Sequence, residues 1–180
     1  MSKVLSTIKD LVVTLLIAFV IAMVLKCFIV DSCKILSDSM VPTLNKGDRV
    51  LISRISYIIG EPKRGDVIIF EPPAEVDEGV DFIKRVIGLP GETVEVRDGV
   101  VYINNEPLSE DYISEPPNYD LGPISVPEGK YFVLGDNRNN SADAHIWLEI
   151  ASDPFISEDS IDAKAVFQYF PFNEIGLIEK

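Results

Sequence analysis

The chain has 180 residues, 16 Lys and Arg against 29 Asp and Glu, a formal net charge of −13, one His and two Cys. That length suits one medium domain, or one domain plus an anchor, and the acidity argues against a nucleic-acid partner. One His and two Cys cannot build a closed zinc site, so neither a metal nor a cofactor is expected. Beyond residue 30 there are 13 basic and 28 acidic residues, which reads first as solubility.

A short tail, residues 1–10, precedes an apolar run. From Leu11 to Leu25 only Thr14 is polar, and after Lys26 the run resumes through Cys27-Phe28-Ile29-Val30. Twenty helical residues span about 30 Å, one hydrocarbon core, and the stem of Lys26 can lie in the apolar layer while its ammonium reaches the headgroups. A cleaved signal peptide would need a shorter run and a small-x-small site, which do not follow Leu25 in good position. Residues 11–30 are therefore expected to be an uncleaved transmembrane helix. Flanking lysines do not fix its orientation, and long domains translocate largely regardless of charge. Cys27 and Cys33 sit on either side of the membrane exit and are expected to be free thiols.

The remainder, residues 31–180, reads as one mostly β domain. Asp48 to Ile52, Asp66 to Phe70, Lys130 to Leu134 and Ala163 to Phe167 are short β-branched or aromatic runs. Thr93 to Arg97 and Val100 to Ile103 flank Asp98-Gly99, the signal for a tight hairpin. Glu71 to Val80 and Leu108 to Pro127 are rich in Pro, Asp, Glu and Ser, and read as surface excursions. No soluble helix is expected. The predicted architecture is an antiparallel, barrel-like β-sheet domain on one N-terminal transmembrane helix.

Three clusters carry polar chemistry. Ile35-Leu36-Ser37-Asp38-Ser39-Met40-Val41-Pro42-Thr43-Leu44 follows the apolar run. If this stretch is extended, Ser37 and Ser39 point to one side, although a serine-rich exit loop would look the same. In Asp81-Phe82-Ile83-Lys84-Arg85-Val86-Ile87, alternation puts Lys84 on a face with Phe82 and Val86. Burial there would lower its pKa and make it a base for a serine hydroxyl, whereas an edge lysine that discourages strand association is the bland reading. Gly135-Asp136-Asn137-Arg138-Asn139-Asn140-Ser141-Ala142-Asp143 follows a strand. Asp143 and Ser141 there could orient an amine, and Asp136 and Arg138 could brace the loop, or the stretch is a capped turn.

In type, order and flanks these clusters resemble the boxes of type I signal peptidases, the membrane-bound serine proteases that remove signal peptides. Ser37 to Leu44 resembles the nucleophile box, Lys63 to Phe70 the box after it, Phe82 to Glu92 the lysine box, and Gly135 to Asp143 the Gly-Asp-Asn-Arg box. The resemblance implies Ser39 as nucleophile and Lys84 as general base, with the Ser39 N–H and the Ser37 hydroxyl receiving the oxyanion. It further implies that Ser141 holds the lysine amine and that Asp143, Asp136, Arg138, Arg85 and His145 support the site. An extended substrate would lie against Ile35 and Leu36 on one side and Asp81, Phe82 and Ile83 on the other. Shallow pockets near Met40 and Ile83 would favour small residues, as in Ala-x-Ala, before the cut. The implied partners are exported preproteins and the lipid bilayer, with the secretion translocon as a further candidate, at the outer face of the plasma membrane with the N-terminus in the cytoplasm.

Some positions depart from the family pattern. Asp143-Ala144-His145 stands where Asp-Ser-Arg is usual, and His offers fewer donors than the Arg fork. Leu148 and Ala163 stand where glycine is familiar, and Ala151 to Phe155 reads as additional residues. These changes keep open a weak or inactive tethered homologue that binds export or pilus segments, and a narrow-specificity pilus or spore peptidase.

Overall fold

The computed structural model describes residues 2–28, 31–77 and 79–178, and the side chains at 7–20 and from 31 onward within those ranges. The elements fall in chain order as follows. Helix α1 runs Ser2–Phe28. The strands are β1 (Asp31–Lys34), β2 (Arg49–Ser53), β3 (Val67–Phe70), β4 (Phe82–Gly88), β5 (Thr93–Arg97), β6 (Val100–Ile103), β7 (Glu106–Pro107) and β8 (Leu121–Ser125). After β9 (Lys130–Leu134) come helix α2 (Ala144–Ile150), β10 (Ile156–Ser157), β11 (Ile161–Phe170) and β12 (Gly176–Leu177).

Along α1 the apolar side chains from Leu11 to Val20 are exposed, and the Thr14 hydroxyl donates back to the Asp10 carbonyl at 2.8 Å, hiding the one polar group of that stretch. Among the described residues no helix is long and apolar enough to cross a membrane. The expected span at residues 11–30 runs on through positions 21–30, including Lys26 and Cys27, whose side chains lie outside the described residues. Cys33 is a free thiol.

All ladders are antiparallel. The larger sheet has the order β1-β2-β11-β3-β4-β9-β10, with β12 also paired to β11, and a second sheet runs β7-β6-β5-β8. The larger order has two ends, so among the described ladders it is a bulged, open sheet and not the closed ring that a barrel would require. β3 explains how the domain holds two cores. Its side chains alternate, placing Ile68 and Phe70 in one apolar cluster and Val67 and Ile69 in the other. All four are therefore buried.

Between β5 and β6, Asp98 and Gly99 take φ of 51° and 75°, the double left-handed geometry that matches the twist of a two-residue hairpin. Gly88 closes β4 for a different reason. A Cβ there would come 2.5 Å from Val94 Cγ2 and 2.9 Å from Val126 Cγ2, so only hydrogen lets the second sheet approach.

Three expectations are corrected. The excursion from Leu108 to Pro127 contains β8, which pairs with β5 as the outermost strand of its sheet, where Pro123 is tolerated because that edge needs no donor. A soluble helix exists: α2 is only seven residues, and it is capped by Asp143, whose carboxylate accepts the His145 N–H at 3.3 Å. The serine stretch is also not extended. β1 ends at Lys34, and residues 37–44 form bends and turns.

Candidate active site

The turn from Asp38 to Leu44 is held by its own backbone, with Val41 N–H donating to Asp38 O at 3.2 Å and Leu44 N–H to Met40 O at 2.9 Å. Met40 and Leu44 are wholly buried in the second core. Because successive side chains of a turn point around it, burial of Met40 leaves Ser39 turned toward β4. Ser37 and Ser39 still share a side, their hydroxyls 3.2 Å apart. From the facing loop, Asn137 donates its N–H to Ser39 O and its side-chain amide to Asp38 O, each at 3.0 Å.

Lys84 belongs to an interior strand, since β4 pairs with β3 on one side and β9 on the other. Lys84 itself pairs with Ile68 of β3, one residue before the β9 ladder begins at Arg85, and it is burial that separates it from a solvated edge lysine. Its Nζ lies 2.8 Å from Ser39 Oγ and 3.1 Å from Ile83 O, and its residue is 3% exposed. Burial pushes the ammonium down from its ordinary value near 10.5 to about 8, against the opposing charges of Asp143 and Asp136. The Phe82 ring lies 5.2 Å from Nζ, and rests in turn on Trp147 of α2, ring centroids 6.0 Å apart.

Arg85, the next residue, faces away from the serines into a buried ionic cluster. It grips Asp136 with two hydrogen bonds, donates to Gly65 O at 2.9 Å, and lies 3.9 Å from the Tyr112 ring centre. Asp136 and Arg138, expected as loop braces, have different partners. Asp136 takes Arg85 and the Thr43 hydroxyl, whereas Arg138 forms a double contact with Glu110 at 2.7 and 2.5 Å. Tyr112 also donates to Glu110.

Asp143 is fully buried. One oxygen accepts the Gly135 N–H at 2.8 Å, and the other lies 2.6 Å from His145 Nδ1. The His145 ring is stacked on Tyr119, centroids 4.0 Å apart and planes within 2°. Ser141, implied as the holder of the lysine amine, is placed otherwise. Its hydroxyl is buried without a hydrogen-bond partner among the described residues, and the amine contacts the Ile83 carbonyl. Glu110, Tyr112, Tyr119 and Asn137 had no role in the sequence reading. The first three lie in an aperiodic loop, with no local signal of what they touch.

A cleft of about 740 Å³ opens beside the serine–lysine pair. One wall is Cys33 to Ser39, and the other Gly79 to Lys84, with Asn140 and Ala142 at the end near Ser141. Of the residues expected to meet substrate, Leu36, Asp81, Phe82 and Ile83 line this cleft, and Ile35 lines it while remaining largely in the core. Met40 is the correction: it lies in the core and does not line the cleft, because the turn sends it opposite to Ser39. Ala163 and Leu148 are packing residues, Ala163 within the second core and Leu148 against the first.

A serine hydroxyl held against a desolvated lysine amine beside an open cleft is an arrangement of serine hydrolases that need no histidine base. The chain belongs to the signal peptidase family, peptidase S26, whose pattern matches residues 8–170. It is 45% identical over 174 residues to a probable signal peptidase I-1 of Synechocystis, covering 94% of this chain and 86% of the relative. A signal peptidase I of Leptolyngbya laminosa is 42% identical, covering 91% and 80%, and one of Bacillus licheniformis 37% identical, covering 89% and 88%. A crystal structure of a signal peptidase I from Enterococcus faecalis aligns over 59% of this chain and 97% of that one, with 37% identity and a TM-score of 0.49.

Proposed function

We propose that this protein is a membrane-anchored signal peptidase that hydrolyses exported preproteins after a small-x-small site, with Ser39 as nucleophile and Lys84 as general base. The observation that carries the assignment is the 2.8 Å contact between Lys84 Nζ and Ser39 Oγ, both residues being buried. Neutral Lys84 takes the hydroxyl proton as Ser39 attacks the scissile carbonyl. The resulting ammonium returns it to the leaving amine. Water, activated by the same amine, then releases the acyl group.

The oxyanion is received by the Ser39 N–H and the Ser37 hydroxyl, which stands beside the nucleophile. Substrate lies extended in the cleft between residues 33–37 and 79–83. Residues 1–10 form a cytoplasmic tail, residues 11–30 the membrane anchor, and residues 31–180 the catalytic domain on the outer face. The apolar sequence from Leu11 to Val30, broken only by Thr14 and Lys26, supports the anchor. Preproteins and lipid are the partners, with the translocon delivering substrate.

The inactive-homologue reading is not favoured, since relatives called signal peptidases match almost the whole chain. The test is cleavage of a preprotein by the purified full chain in detergent and lipid, with mass mapping of the product termini. Ser39→Ala, Lys84→Ala and Lys84→His should each abolish the cut while leaving the far-UV spectrum unchanged. Normal cleavage by Lys84→Ala would sink the dyad.

A further inference from the structure

The site rests on a part of the chain that its motifs do not include. Residues 110–119 of the excursion before β8 lie along the Gly135 to His145 loop by independent contacts. Glu110 grips Arg138. Asn118 N–H donates to Asn139 Oδ1 at 2.8 Å, while Asn139 Nδ2 donates to Pro116 O at 3.1 Å. Tyr119 then lies flat on His145.

The Tyr119 hydroxyl is buried and has no hydrogen-bond partner among the described residues. A buried hydroxyl with no partner costs stability, so the useful part of this side chain is its ring. Stacked at 4.0 Å and parallel, that ring fixes the plane of the imidazole. With the plane fixed, Nδ1–H donates to Asp143 Oδ1 at 2.6 Å.

We propose that Tyr119 is a positioning residue for peptide hydrolysis, acting through His145 and Asp143 on Lys84. The inference rests on Lys84 being the base. Asp143 is held independently by the Gly135 and His145 N–H groups, so losing the imidazole donor leaves the carboxylate in place with its charge less shared. That charge favours the lysine ammonium. A better-exposed Asp143 charge therefore keeps Lys84 protonated to higher pH and delays the active, neutral form. The other charged or titratable groups around this set are Asp136 and Arg138 on the loop and Glu110 on the excursion.

The test is the pH profile of kcat for the full chain in detergent and lipid, with a preprotein bearing an Ala-x-Ala site. Tyr119→Leu should move the acid limb upward by about half to one pH unit, making it about three- to tenfold slower at pH 7, with KM unchanged. The deficit should vanish on the alkaline side of the limb. Tyr119→Phe, which keeps the ring, should rescue the limb relative to Tyr119→Leu. His145→Gln should shift it as Tyr119→Leu does, and it decides the matter if Tyr119→Leu does not fold. An unmoved limb, or an equal loss at every pH, overturns the positioning role, provided Lys84→Ala is inactive in the same assay. An active Lys84→Ala overturns the dyad itself, and this inference with it.

Discussion

Arg85 and Asp136 are joined by two parallel hydrogen bonds, Nε to Oδ1 at 2.8 Å and Nη2 to Oδ2 at 2.7 Å, and neither side chain is exposed. Arg85 follows Lys84 directly on β4, so one strand carries a cation kept as a buried pair and a neighbour driven toward neutrality. Removing one partner leaves a buried charge uncompensated. Asp136→Ala is expected to lower folding stability by about 3–5 kcal/mol. The double variant Arg85→Met with Asp136→Leu should lose less than Asp136→Ala does. Urea denaturation followed by tryptophan fluorescence checks both, with Trp147 as the single reporter.

Activity should rise with pH through about 8, the value to which burial brings the Lys84 ammonium. Stability should respond in the same direction. The folded protein releases this proton near pH 8, while the unfolded chain holds it to about 10.5. The group therefore costs the folded state about 3 kcal/mol below pH 8, a cost lost as pH climbs to 10.5. Lys84→Met should accordingly be inactive, yet more stable than the parent at pH 7 by about 2 kcal/mol, with the gain shrinking above pH 8. Denaturant midpoints at pH 7 and pH 10 would test this.

Gly135 packs where a side chain has no room. A Cβ there would strike Ser141 Oγ and come 2.5 Å from Ser39 O. Gly135→Ala should displace Ser39 relative to Lys84, and a misplacement of about 1 Å costs about 100-fold in rate. The expected result is a fall in kcat of that size with KM little changed, measured beside a thermal melt that still shows one cooperative transition.

Ser37 offers a hydroxyl 3.2 Å from Ser39 Oγ. If it donates to the oxyanion, Ser37→Ala should reduce kcat by about 10²–10³ without altering the pH limb set by Lys84. Ser37→Thr, which keeps the hydroxyl, should retain more activity than Ser37→Ala. An unchanged kcat in Ser37→Ala would remove Ser37 from the site.

The parts that were legible in the sequence are those governed by local rules. β5 and β6 follow from alternation and Asp98-Gly99. Lys84 was readable as a base candidate because its neighbours on β4 are apolar. What the sequence could not disclose depends on contacts distant along the chain. Glu110, Tyr112 and Tyr119 sit among prolines and acids in an aperiodic stretch, and nothing local says that they meet Arg138, Arg85 and His145. α2 was missed because seven residues give barely two turns of periodicity and its cap, Asp143, already had a role in the loop. Met40 was misplaced because an extended reading of residues 35–44 sends it toward the cleft, whereas the turn buries it.

Lys84 lies in a strand hydrogen-bonded along both edges, to β3 and to β9. The second ladder begins one residue on, however: Arg85 pairs with Val67 of β3 and Leu134 of β9, whereas Lys84 pairs with Ile68 of β3 alone. Slow amide exchange at Arg85 and Val86 should therefore report the same opening free energy as the deepest core amides, with Lys84 opening no later than they do. Lys84 is thus held by burial and a single ladder, just where β9 leaves β4 and the cleft opens, so on heating the Ser39–Lys84 contact should loosen no later than the sheet melts.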